Sequence, residues 1–199
     1  MVSWYQNTNK KTALIVIGAL IAGILVGFFS SKLMSPNFSE FNAVTMNRNG
    51  TFELDMTPED ALPLFTAPGE TLWAPGWEPF ILNGDGVEQG TIWVTTGHGH
   101  TSYWYVTDYD TTTKHAQYVR VTPGADVGTV DISIEANSSG GSTVNVTYRL
   151  TGLSKSGNER VSNTLSESAY SERMKHWQSL IEDNKDSIQK HLQSRGEKR

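Results

Sequence analysis

His98 and His100 stand one residue apart, and in an extended strand that spacing turns both imidazoles to one side, as a metal ion or a proton transfer would use them. Asp108 and Asp110 are the nearest carboxylates in the chain that could add oxygen ligands. Against this, Gly97 and Gly99 frame the pair as an exposed turn and no spacing fixes a third ligand, so no metal and no cofactor is assigned. As proton-transfer groups the candidates are His98, acting as general base, together with His100 and Tyr118. The run Asp108-Tyr-Asp110 before three threonines reads as a hairpin turn whose carboxylates bond to backbone amides. The chain shows no serine-histidine-aspartate order, phosphate loop or zinc spacing.

The aromatic residues offer a different chemistry, a surface for an apolar ligand. Residues 66–100 hold three of the six tryptophans (Trp73, Trp77 and Trp93) among prolines and glycines that set backbone direction. A hairpin closing around Gly97-His-Gly-His100 places Trp93 opposite Trp104 on one face. Ile92, Val94, Tyr103 and Tyr105 fall on the other face. The tryptophan face builds either a packed core or the wall of a cavity. Tyr103 and Tyr105, if outside, form a second adhesive surface.

These residues need elements to hold them. Thr51-Phe-Glu-Leu-Asp-Met56 alternates as a strand, and Thr57-Pro-Glu-Asp60 starts a short helix with a threonine cap, a proline in the first turn and acids at the positive end. A second short turn runs from Glu70 to Trp73. Strands follow at 78–82, 91–96, 101–107, 115–121, 129–136 and 143–151, with turn residues at each reversal, which predicts an antiparallel meander. The period then changes. Thr164-Leu-Ser-Glu167 fits a capping box, and Tyr170, Met174, Trp177, Ile181, Ile188 and Leu192 make one apolar stripe on a single long helix. That stripe must be buried, and the curved sheet is the available partner.

At 199 residues the chain has room for one domain and appendages. With no cysteine there is neither disulfide nor thiol chemistry. Within a net charge of -5, residues 50–136 hold thirteen acidic residues against Lys114 and Arg120, which excludes a nucleic-acid partner for this part. After a polar segment, 1–11, the uncharged run 12–29 is long enough, at about 27 Å, to cross a bilayer, so a transmembrane helix is expected over 12–34. A cleaved signal peptide is the rival reading. Lys10 and Lys11 favour a cytoplasmic N-terminus, with the domain on the outer, periplasmic or extracytoplasmic side. Gly23 and Gly27 form a GxxxG through which two chains could pair. The expected organisation is completed by a tether over 35–49, the domain over 50–194 and a tail over 195–199.

The order of a strand, two short helices, six strands and a long helix resembles the helix-grip fold of the SRPBCC superfamily, with its START-like lipid carriers and polyketide cyclases. Leu64-Phe-Thr-Ala-Pro-Gly-Glu-Thr-Leu-Trp-Ala-Pro-Gly-Trp77, Thr95-Thr-Gly-His-Gly99, Trp104-Tyr-Val-Thr-Asp-Tyr-Asp110 and Ala169-Tyr170 with His176-Trp177 are similar to one bacterial branch of it. The resemblance covers about 51–183. It implies an α+β fold with a hydrophobic cavity between sheet and long helix, lined by Trp73, Trp77, Phe80, Trp93, Trp104, Tyr118, Tyr170, Met174 and Trp177. It carries no universal catalytic residues. The function expected first is a membrane-anchored domain binding a small hydrophobic or amphipathic ligand, possibly a lipid. A cyclase- or aromatase-like enzyme using His98, His100 or Tyr118 is the alternative, and an envelope interaction protein without ligand is the third.

Overall fold

The computed structural model describes residues 41–97 and 99–196. Seven strands form one antiparallel sheet: β1 (Thr45–Leu54), β2 (Phe80–Asn83), β3 (Ile92–Gly97), β4 (His100–Asp110), β5 (His115–Thr122), β6 (Asp126–Ala136) and β7 (Ser142–Gly152). Their spatial order is β1-β7-β6-β5-β4-β3-β2, so β2 through β7 are a meander and β1 joins it beside the last strand. β1 opens at Thr45 rather than Thr51, so residues 45–49, expected as the end of the tether, belong to the sheet.

Alternation of side chains sorts the sheet into two faces. The inner row of β7 is Val144, Val146, Tyr148 and Leu150, and that of β5 is Ala116, Tyr118 and Arg120. Between β1 and β2 lie helix α1 (Pro58–Ala61), a 3-10 turn (Leu62–Phe65) and helix α2 (Ala67–Glu70). The Thr57 hydroxyl accepts from the Asp60 amide, as the Thr-Pro-acid start predicts. Thr66 does the same for Gly69, and its own hydroxyl donates to Pro63 O. Leu62, Leu64 and Phe65 bury themselves against the sheet, which fixes where Trp73 and Trp77 can go.

The C-terminal part is three helices rather than one: α3 (Lys155–Thr164), α4 (Glu167–Asp183) and α5 (Lys185–Gly196). Thr164, expected as the cap, is the last residue of α3, and Ser166 caps α4 by accepting from the Ala169 amide. Asn184 ends α4 with its side-chain amide donating to Leu180 O. The predicted stripe nevertheless survives the break, since Tyr170, Met174, Ile181 and Ile188 are all buried. Helix α4 lies directly on β1 at Gly50, where a Cβ would come 2.6 Å from Met174 Cγ and 2.8 Å from Tyr170 Cε1. Because α4 sits on an edge strand, Trp73 and Trp77 help to close the inner face farther along the sheet.

Among the described residues no helix is long and apolar enough to cross a membrane. The expected span 12–34, with Gly23 and Gly27, lies outside the described residues, as does His98.

Candidate functional site

Three groups of contacting rings line the inner face. The β3–β4 register pairs Trp93 with Trp104, whose rings stack at 5.8 Å and 2°. Trp93 also meets Tyr118 edge-on at 5.5 Å, and Trp77 from the α2–β2 connection meets Trp104 at 5.8 Å. Trp73 joins Phe65 at 6.1 Å to Trp177 of α4 at 5.6 Å. Each such pair adds about 0.5–1.5 kcal/mol beyond the area it buries. Trp73, Trp93, Trp104, Tyr118, Tyr170 and Met174 are buried, and Trp77 and Trp177 are half-buried.

Phe80 is the exception. It pairs with Val94, on the face opposite Trp93, and is 70% exposed. Leu82, Tyr103 and Tyr105 are exposed as well, so the second apolar surface anticipated for the tyrosines is present on the outer face.

The polar atoms among these rings separate into satisfied and unsatisfied ones. Trp73 Nε1 donates to Leu64 O at 2.8 Å, Trp77 Nε1 to Ala67 O at 2.9 Å and Trp104 Nε1 to Thr95 Oγ1 at 3.0 Å. The Tyr118 hydroxyl donates to Phe65 O at 2.9 Å. Burial, and then the nearby Glu70, push its pKa far up. Trp93 Nε1 and Arg120 Nε are buried with no acceptor. Glu70, the last residue of α2, is raised well above the usual carboxylate range by desolvation, and no charge opposes this. Part of its surface is still accessible, while its electrostatic influence reaches both Tyr118 and Tyr148.

At the far side of the rings sits a cationic cluster. Arg120 lies 5.7 Å from the Trp104 ring centre and 5.9 Å from that of Tyr148, and its Nη2 bonds to the fully buried Asp126. Asp126 also lies 3.0 Å from Arg160 Nε. Arg173 of α4 stacks 5.6 Å from Tyr148 and 5.4 Å from Tyr170 and donates to Thr164 O. The Tyr170 hydroxyl donates to Val146 O at 2.9 Å. Tyr170 and Met174 also line a separate groove of about 450 Å3 between β1 and α4, together with Arg48, Gly50, Phe52 and Gln178.

His100 is exposed at the hairpin end, paired with Gly97 and away from the interior rings. Asp108 does not join it. A bulge between Val106 and Asp108 turns Asp108 to the outer face, where it sits 2.7 Å from His115 Nδ1, while Asp131 lies 3.0 Å from Nε2. Asp110 caps the following turn by accepting from the Thr112 and Thr113 amides, as its position before three threonines predicts. Among the described residues no group of three histidine, cysteine or acidic residues is placed to hold a metal ion.

No family model and no curated protein matches the sequence. Solved structures do match. Norcoclaurine synthase from Thalictrum flavum superposes with a TM-score of 0.52 at 15% identity, over 70% of this chain and 87% of that one. The chain has a helix-grip fold. Ginseng major latex-like protein 151 from Panax ginseng gives a TM-score of 0.54 at 11% identity, covering 70% of this chain and 97% of its own. An uncharacterised protein from Rhizobium leguminosarum gives 0.53 at 11%, covering 71% and 97%. At these identities the likeness establishes the helix-grip fold alone, and the site must be argued from its own residues.

Glu70 and Arg120 carry no role in the reading of the sequence alone. The signal for Arg120 was present, because it is the one arginine in the acidic half and shares the inward parity of Tyr118 on β5. For Glu70 the only hint was a carboxylate one helical turn before Trp73.

Proposed function

We propose that this chain is a membrane-anchored START-like domain that binds a small hydrophobic or amphipathic ligand between its sheet and α4. The observation that carries the reading is the aromatic interior in which Trp93 Nε1 and Arg120 Nε are buried without hydrogen-bond partners. A buried polar atom left unpaired costs about 1–3 kcal/mol, and a ligand that meets it recovers that cost on binding. The helix-grip fold supports the same reading, since norcoclaurine synthase, which shares it, has been solved in complex with dopamine and hydroxybenzaldehyde. Anchoring rests on the uncharged run 12–29, and Gly23 and Gly27 would pair two anchors. Placement of the domain outside the cytoplasm is tested by a reporter fused after Arg199, and activity confined to the cytoplasm rejects it.

Ligand binding is tested with the full chain and an uncharged fluorescent amine, N-phenyl-1-naphthylamine, excited by energy transfer from tryptophan. Saturation at one probe per chain is expected. Emission that rises without saturating contradicts the reading.

A further inference from the structure

The interior is electrostatically lopsided. Arg120 and Arg160 share the single carboxylate of Asp126, while Arg48 and Arg173 bond only to the carbonyls of Leu165 and Thr164. Among the described residues these four guanidiniums thus meet one carboxylate. Capping the end of α3 explains the bonds of Arg48 and Arg173. It explains neither the buried, acceptorless Nε of Arg120 nor why Arg120 and Arg173 both lie over the Tyr148 ring, 5.9 and 5.6 Å from its centre.

We propose that the ligand of this interior carries an anionic oxygen head group, a carboxylate or a phosphate ester, held over Tyr148 by Arg120 and Arg173. Its apolar body lies along the Trp104–Trp93 stack. This rests on the reading of the interior as a ligand site. The geometry supplies both halves of such a molecule's recognition: Arg120 lies 5.7 Å from the Trp104 ring centre and 5.9 Å from that of Tyr148. Arginine presents five donors in a planar fork and Arg120 uses its Nη2 on Asp126, which leaves Nε for an oxyanion. Arg173, which meets no carboxylate among the described residues and lies 5.6 Å from the Tyr148 ring centre, supplies the charge that favours an anion over a neutral guest.

The test uses the full chain and its own tryptophan fluorescence, titrated with octanoate, octyl phosphate and 1-octanol. One of the two anions should bind at least about tenfold more tightly than the alcohol, and which of them wins separates the carboxylate from the phosphate source. Arg173→Met should remove most of that preference, and Arg173→Lys should retain part of it. Equal affinity for all three probes overturns the head-group assignment but leaves the ligand reading standing. So does an Arg173→Met variant, folded by circular dichroism, that keeps the full preference. Absence of binding by every probe overturns both.

Discussion

Replacing Asp126 by Asn keeps its shape and removes the one carboxylate that compensates Arg120 and Arg160. Asp126 is fully buried and Arg120 is 9% exposed, so Arg120 would be left charged in a region that excludes water. Breaking a buried ion pair by removing one partner costs about 3–5 kcal/mol. Arg160 adds little, because its side chain is 32% exposed and solvent screens its share to about 1 kcal/mol or less. The expected loss is therefore about 3–4 kcal/mol, or roughly 6–15 °C in Tm for a domain of this size. Urea unfolding of the full chain, followed by circular dichroism and tryptophan emission, measures it. The double variant Arg120→Met with Asp126→Asn should be more stable than Asp126→Asn alone, since it removes the stranded charge as well. A single-variant loss under about 1 kcal/mol, with no recovery in the double variant, would show that the cluster behaves as a surface ion pair and refute the reasoning.

Three further perturbations follow from individual contacts. Burial of the His115 ring opposes its charge, but the hydrogen bonds and charges of Asp108 and Asp131 outweigh this and raise its pKa above 6.5. Its contribution to stability is thus complete below 6.5 and is lost as pH rises through the folded value, whereas His115→Gln should show no such decline between pH 6 and 9 in thermal melts. Glu70 is raised in the folded state too, so ionising it opposes folding as pH climbs above 4.5. Glu70→Gln should therefore raise Tm at pH 8 and lose that advantage at pH 4, and an equal effect at both would contradict the desolvated carboxyl. Gly50→Ala places a Cβ 2.6 Å from Met174 Cγ and should cost about 1–3 kcal/mol through overpacking, measured by urea unfolding, with part recovered by adding Met174→Ala.

The parts of the fold visible in the sequence were those governed by period. Alternation located the strands of the meander, and an even hairpin placed Trp93 against Trp104 without any structural help. The division of the expected long helix was not legible, because its apolar stripe continues in phase across the break at Asn184, whose side-chain amide donates to Leu180 O. Helix α3 has only Val161 as a buried large side chain and so carries almost no apolar period. At the site, tryptophan spacing indicated the aromatic wall, while the charged residues escaped notice because their meaning depends on contacts far apart in sequence. Arg173 reaches Tyr148, and Glu70 acts on Tyr118, only once the sheet curls beneath α4. The bulge at Thr107 shows the limit from the other side: one extra residue moved Asp108 to the outer face and gave it His115 as a partner.

Whether the interior holds a ligand is the central question, and native mass spectrometry of the full chain, gently extracted from cells that make it naturally, addresses it most directly. The account predicts a protein peak displaced by one small amphipathic molecule of defined mass, detected as an anion after release. A peak at the mass of the bare chain, with no released molecule and with an interior that takes up none of the probes, would contradict it.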